Sequence, residues 1–195
     1  MHSHETKQVS LSRLLFTIFL NLVITVAQII GGIISGSLAL ISDALHNLSD
    51  TISVILAYVA QVLSRKPRTQ RSTFGLKRAE ILAAFINALT LIGISIYLVF
   101  EAVERFIHPK EVDPAWMFWL GLLGLLANGI SVLILEGEKN KNINVKAAYL
   151  HLLGDALTSI AVVAGAVLIW FFNIFWVDSV VTILISVYLL SLIHI

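Results

Sequence analysis

The 195-residue chain contains no cysteine, which excludes disulfides, thiolate nucleophiles and any metal site built on sulfur. A transition metal must therefore be held by His, Asp, Glu, Asn or backbone oxygen. Charge is scarce as well. Charged residues make up 13% of the chain, about half the roughly 25% of a soluble domain. The formal net charge of +1 says little about partners, but no basic run is interleaved with aromatics, so no nucleic acid partner is expected. Enzyme signatures are missing too: neither an H-E-x-x-H pair nor a G-x-S-x-G elbow occurs. Beyond the first residues only His46, His108, His151 and His194 are present, too few for a membrane di-iron centre. The chain reads as no enzyme.

What is abundant is apolar. Hydrophobic residues make up 58% of the chain, and the mean hydropathy is +0.92. A bilayer core about 30 Å thick needs about 20 apolar residues in helix. Six segments qualify, at 14–34, 39–63, 79–106, 115–136, 147–171 and 176–195. The expectation is an all-α membrane protein, with a leader over 1–13 and one six-helix transmembrane domain over 14–195. The first apolar run is too long for a signal peptide and no small-residue cleavage site follows it, so it reads as a retained span. His2 and His4 in the leader read as part of a solvated terminus.

Gly36, Pro67, Gly75, Pro109 and Pro114 punctuate the connections, and Trp116, Trp119, Trp170 and Trp176 fall near segment ends, as headgroup-seeking rings do. With the N-terminus in the cytoplasm, the inside carries Lys7, Arg13, Arg65, Lys66, Arg68, Arg71, Lys77, Arg78, Lys139, Lys141 and Lys146. Only Arg105 and Lys110 fall outside. The bias of basic residues toward the cytoplasm then places both termini there.

Polar groups inside the spans are the informative exception. Each central Asp costs about 2.5–3.5 kcal/mol on insertion scales, yet the second span holds Asp43, His46, Asn47 and Asp50, and the fifth holds His151 and Asp155. A cation would compensate them. His46 and Asp50 are spaced i, i+4, as are His151 and Asp155, so each pair shares a helix face. Two such faces meeting offer two imidazole nitrogens and two carboxylate oxygens, a set that suits tetrahedral Zn²⁺. Asp43, on a similar face, is an outer ligand, a group at the entrance or an orienter of the histidine. Asn47 is a second accessory position, and with Asn21, Gln28, Asn87 and Asn128 it reads as a packing or water-lining group.

The string L-H-x-L-x-D occurs twice, at 45–50 and 150–155, with Ser53 and Thr158 as hydroxyl counterparts downstream. The copies sit in the middle span of each half. Three-span repeats are inverted across the membrane, and inverted 3+3 repeats favour a midplane site between the halves. Antiparallel helices would set each His beside the other helix's Asp. A single copy would read as an interhelical hydrogen bond; two copies at matching depth point to a metal.

Three stretches carry a family resemblance: 36–50, from Gly36 through Asp43 and His46 to Asp50; 73–82, with Thr73, Gly75, Arg78 and Glu80; and 144–155, from Asn144 through His151 to Asp155. The chain resembles the membrane part of a cation diffusion facilitator, of the bacterial cobalt–zinc–cadmium and vertebrate zinc transporter type. The resemblance implies a transport site at His46, Asp50, His151 and Asp155, Zn²⁺ as the transported ion with Cd²⁺ or Co²⁺ as alternatives, and exchange for protons. It also implies export from the cytosol across the cell membrane or into an organelle, and a homodimer in the full-length family. The family usually adds a cytoplasmic C-terminal domain, which is absent up to Ile195, so the chain is expected to be a fragment.

The residues themselves predispose to exchange. Two ionised Asp and two neutral His carry about −2, which one Zn²⁺ or two protons neutralise equally well. Rival readings are a passive cation channel, which needs weaker or multiple sites, and a non-transporting membrane partner that binds metal for structure.

Overall fold

A computed structural model describes residues 11–64, 79–137, 139 and 143–193. Six helices follow in order: α1 (Leu11–Ser35), α2 (Leu38–Ser64), α3 (Ala79–Ile107), α4 (Pro114–Glu136), α5 (Ile143–Phe172) and α6 (Trp176–Ile193). They match the six expected segments within four residues at each start. The largest difference is at α5, which begins at Ile143 rather than 147. Most of the leader, the loop at 65–78 with Pro67, Gly75 and its six basic residues, Lys141 and His194 lie outside the described residues.

Three helices contain stretches long and apolar enough to cross a membrane: Ala84–Ile107, Pro114–Glu136 and Val145–Phe172. Asn21–Ser35 and Trp176–Ser191 are shorter apolar stretches. The distribution of side chains is inverted relative to a soluble protein. Phe171, Phe100, Ile81 and Leu133 are each more than 70% exposed, while Thr25, Gln28, Ser42, Ser95, Ser159, Thr182 and Ser186 are fully buried. A surface this apolar is stable only against lipid. The chain is an integral membrane protein.

Packing places α2 at the centre. It touches all five other helices, while α1, α4, α5, α6 and α3 follow one another around it. Two of the connections show how the chain is turned. Gly36 turns α1 into α2 with φ of 74°, which only glycine adopts without strain. Asp113 caps α4, accepting from the Ala115 N–H at 2.9 Å ahead of Pro114 in the first turn.

The end of the bundle formed by the three short connections is tied by polar contacts, and we call it the turn end. The opposite end, which carries the basic connections, is the basic end. At the turn end, Asp178 in the first turn of α6 accepts from Ser37 Oγ at 2.6 Å and from the N–H groups of Leu38 at 2.8 Å and Ala39 at 3.2 Å. A carboxylate from another helix thus caps the first turn of α2 and meets its positive dipole end. Arg105 donates to the Gly36 carbonyl at 2.6 Å and to Glu101 at 2.8 Å, and the Asp113 N–H donates to the Ser35 carbonyl. Asp178→Ala leaves three buried donors without an acceptor and is expected to cost about 2 kcal/mol or more. Thermal unfolding in detergent micelles measures this, and Asp178→Asn, which keeps one acceptor oxygen, should fall less.

Candidate metal centre

α2 and α5 bring the expected residues together in antiparallel register. His46 Nε2 lies 3.0 Å from Asp155 Oδ1, and His151 Nε2 lies 3.4 Å from Asp50 Oδ2. Within each helix the i, i+4 spacing closes the ring: His46 Nδ1 is 3.5 Å from Asp50 Oδ2, and His151 Nε2 is 3.7 Å from Asp155 Oδ2. Each histidine therefore faces both carboxylates. The two imidazoles meet edge to face, their centroids 6.1 Å apart.

These spacings suit a small cation. Zinc bonds of 2.0–2.1 Å put neighbouring ligand atoms of a tetrahedron roughly 3.3 Å apart. One donor atom each from His46, Asp50 and Asp155 fall within 4.8 Å of one another. His151 completes the set from outside: its side chain is 43% exposed and Asp50's 30%, against 3% for His46 and 5% for Asp155. Among the described residues, His46 Nδ1 and Asp50 Oδ2 are buried without a hydrogen-bond partner. Orphaned polar atoms of opposite charge preference beside each other are what a bound ion would satisfy.

A third tier lies one turn further toward the turn end. Asp43 is 1% exposed and accepts from Thr158 Oγ1 at 2.7 Å, Ser159 Oγ at 3.2 Å and Gln28 Nε2 at 3.4 Å. The register is continuous. From Asp50 to His46 to Asp43 the chain falls by four and then three residues, while its partners rise by the same steps from His151 to Asp155 to Thr158. Gly124 makes room for the third tier, since a Cβ there would collide with the Gln28 amide.

Asp43 is thus set beside the four-residue cluster and makes no direct bond into it. Asn47 is buried, and among the described residues its side chain makes no hydrogen bond to the cluster; its carbonyl accepts from Thr51 Oγ1 at 3.0 Å. Asn21 donates to Thr51 Oγ1 at 3.0 Å, a bond between α1 and α2. Two neighbours of the site escaped the sequence reading. Ser159 is hidden because its target, Asp43, is 116 residues away. Tyr188 of α6 presses its hydroxyl against Gly154, where a side chain would collide with it, and faces the charges of Asp155 and Asp50. The glycine between His151 and Asp155 was the available signal.

Residues 14–193 match the family model described as the cation efflux transmembrane domain. The chain belongs to the cation efflux family. Among relatives of this transporter family, the metal cation efflux system protein CzcD of Cupriavidus metallidurans is 39% identical over 189 residues, covering 97% of this chain and 60% of the relative. The zinc transporter ZitB of Escherichia coli is 42% identical over 175 residues, covering 87% of this chain and 56% of the relative. The cadmium, cobalt and zinc/H⁺-K⁺ antiporter of Bacillus subtilis is 41% identical over 167 residues, covering 85% and 54%. The chain spans between 54% and 60% of the length of these cation efflux proteins.

Proposed function

We propose that this chain carries the membrane pathway of a zinc exporter, which binds Zn²⁺ between His46, Asp50, His151 and Asp155 and exchanges it for protons. The observation that carries the reading is the antiparallel meeting of the two His/Asp pairs, each imidazole within 3.7 Å of both carboxylates. The names of the relatives agree: cation efflux, zinc transport, and antiport of cadmium, cobalt and zinc. Cd²⁺ and Co²⁺ are therefore alternative cargoes.

The excess of Lys and Arg in the leader and in the loops after α2 and α4 puts those ends in the cytoplasm. The bacterial relatives favour the inner membrane. On this orientation the exposed pair, Asp50 and His151, faces the cytoplasmic end, and zinc enters there.

A bare set of two carboxylates is costly inside a bilayer, and the loaded forms are the neutral ones. Zinc leaving on one side must be replaced by protons before the site can return. A passive channel needs a continuous path with weak sites, and the buried tier at Asp43 speaks against one.

Zinc uptake into proteoliposomes under an imposed pH gradient tests the reading. The unmodified chain is expected to accumulate zinc against its gradient when the trans side is acidic. His151→Ala, which removes the outer ligand, should slow uptake by about tenfold or more. Uptake that ignores the pH gradient would refute exchange.

A further inference from the structure

The three tiers between α2 and α5 are not equivalent. At the basic end the tier of Asp50 and His151 is partly open, with exposures of 30% and 43%. The tier of His46 and Asp155 is closed. Beyond Asp43 the residues Ala39, Leu40, Met117, Val162, Ala166 and Ile169 form an apolar block, none more than 1% exposed.

The repeat in the sequence makes the asymmetry specific. The position equivalent to Asp43 in the second half is Ala148, and the equivalent of Thr158 is Ser53. Ala148 is exposed, and among the described residues Ser53 bonds only within its own helix, to the Ser49 carbonyl at 2.7 Å. A carboxylate tier therefore closes one side of the site, and small groups stand at the matching place on the other.

We propose that Asp43 is the lock of the turn-end side: its bonds to Thr158, Ser159 and Gln28 hold α5 and α1 against α2, and breaking them opens the site toward that end. The inference rests on the transport reading above. A carboxylate taking three donors in a medium of low dielectric makes a firm contact, because each bond is charge-assisted. It is nevertheless releasable. Thr158 Oγ1 also reaches the Asp155 carbonyl at 2.9 Å, so its hydroxyl keeps a partner on its own helix when it turns away. That second bond ties the lock to a residue of the metal centre. Once freed, the Asp43 carboxylate is the first anionic group that a departing cation meets.

The absence of cysteine gives a clean test. Val162, fully buried one turn beyond Thr158, is replaced by Cys in the full chain as a reporter of opening. Its labelling by a water-soluble methanethiosulfonate is then timed in micelles. Thr158→Val with Ser159→Ala removes two donors and no metal ligand, and labelling is expected to accelerate about tenfold. Ser159→Ala alone, the gentler change, should accelerate it about twofold. Zinc binding by calorimetry should stay within about threefold of the unmodified chain. Unchanged labelling in both variants, with zinc binding retained, overturns the lock. If the unmodified chain moves no zinc in liposomes, the transport reading fails while the labelling result still decides whether the tier closes that side.

Discussion

Asp155→Ala is expected to abolish zinc flux, lowering it by at least about 100-fold, while leaving the folded chain in the membrane. Asp155 is the innermost carboxylate of the cluster, 3.0 Å from His46 and 3.7 Å from His151. Without it the remaining ligands carry a single negative charge, and a zinc ion would sit in the bilayer with one charge uncompensated. On insertion scales that charge costs about 2.5–3.5 kcal/mol before any ligand bond is lost. The ion also loses a donor atom, and His46 loses the partner that orients it. Asp155→Asn should fail almost as completely, because it keeps the shape and loses the charge. Stability should change far less than flux. Asp155→Ala removes a buried carboxylate but leaves His46 Nε2 without its 3.0 Å partner, so the two effects oppose each other and the variant is expected to melt within a few degrees of the unmodified chain. Zinc uptake in proteoliposomes alongside thermal unfolding in micelles checks both. Normal uptake by Asp155→Ala would show that the ion binds elsewhere.

The six helices were legible because hydropathy reports what lipid requires, and lipid requires it of every span. The signal marks the bilayer core rather than the helix. α5 begins four residues before its apolar run, because Asn144 and Lys146 continue the helix at a depth where polar groups are tolerated. The inner pairs were legible for a related reason: Asp43, Asp50 and Asp155 violate the rule that apolar spans follow, and the i, i+4 spacing of His46 with Asp50 and of His151 with Asp155 says which face they share. Register follows from having the same string on antiparallel helices.

What escaped the sequence was tertiary. Asp178 looks like an ordinary first-turn acid of α6, yet its partners are Ser37, Leu38 and Ala39 at the start of α2. Nothing local to 176–180 names them. Gln28 reads as a packing or water-lining group and Ser159 carries no signal of its own; both become part of the Asp43 tier only when α1, α2 and α5 meet. The repeat in the sequence suggested two equivalent halves, whereas Asp43 has Ala148 as its counterpart, a break in symmetry that only the tier geometry makes meaningful.

Zinc binding is expected to weaken steeply on acidification, by up to about 100-fold per pH unit at the acid limit, with as many as two protons released per ion bound at low pH. The sign follows from the ligands. Imidazole binds metal only through a bare nitrogen, so every histidine that carries a proton must lose it before zinc enters. Above the range in which these imidazoles titrate no proton need leave, and affinity is level. Well below it, each displaced proton contributes one decade per unit. Two imidazoles facing the same pair of carboxylates give a limiting slope of two, and His151→Ala should reduce it to one. Calorimetry in buffers of different ionisation enthalpy counts the protons directly. A slope near zero from neutral pH down to about pH 5 would mean that zinc and protons do not share these groups. On the proposed exchange, the same competition would set the direction of transport: the side with fewer protons would load zinc and the more acidic side would displace it, provided that the Asp43 tier opens only when the site is filled by one or the other.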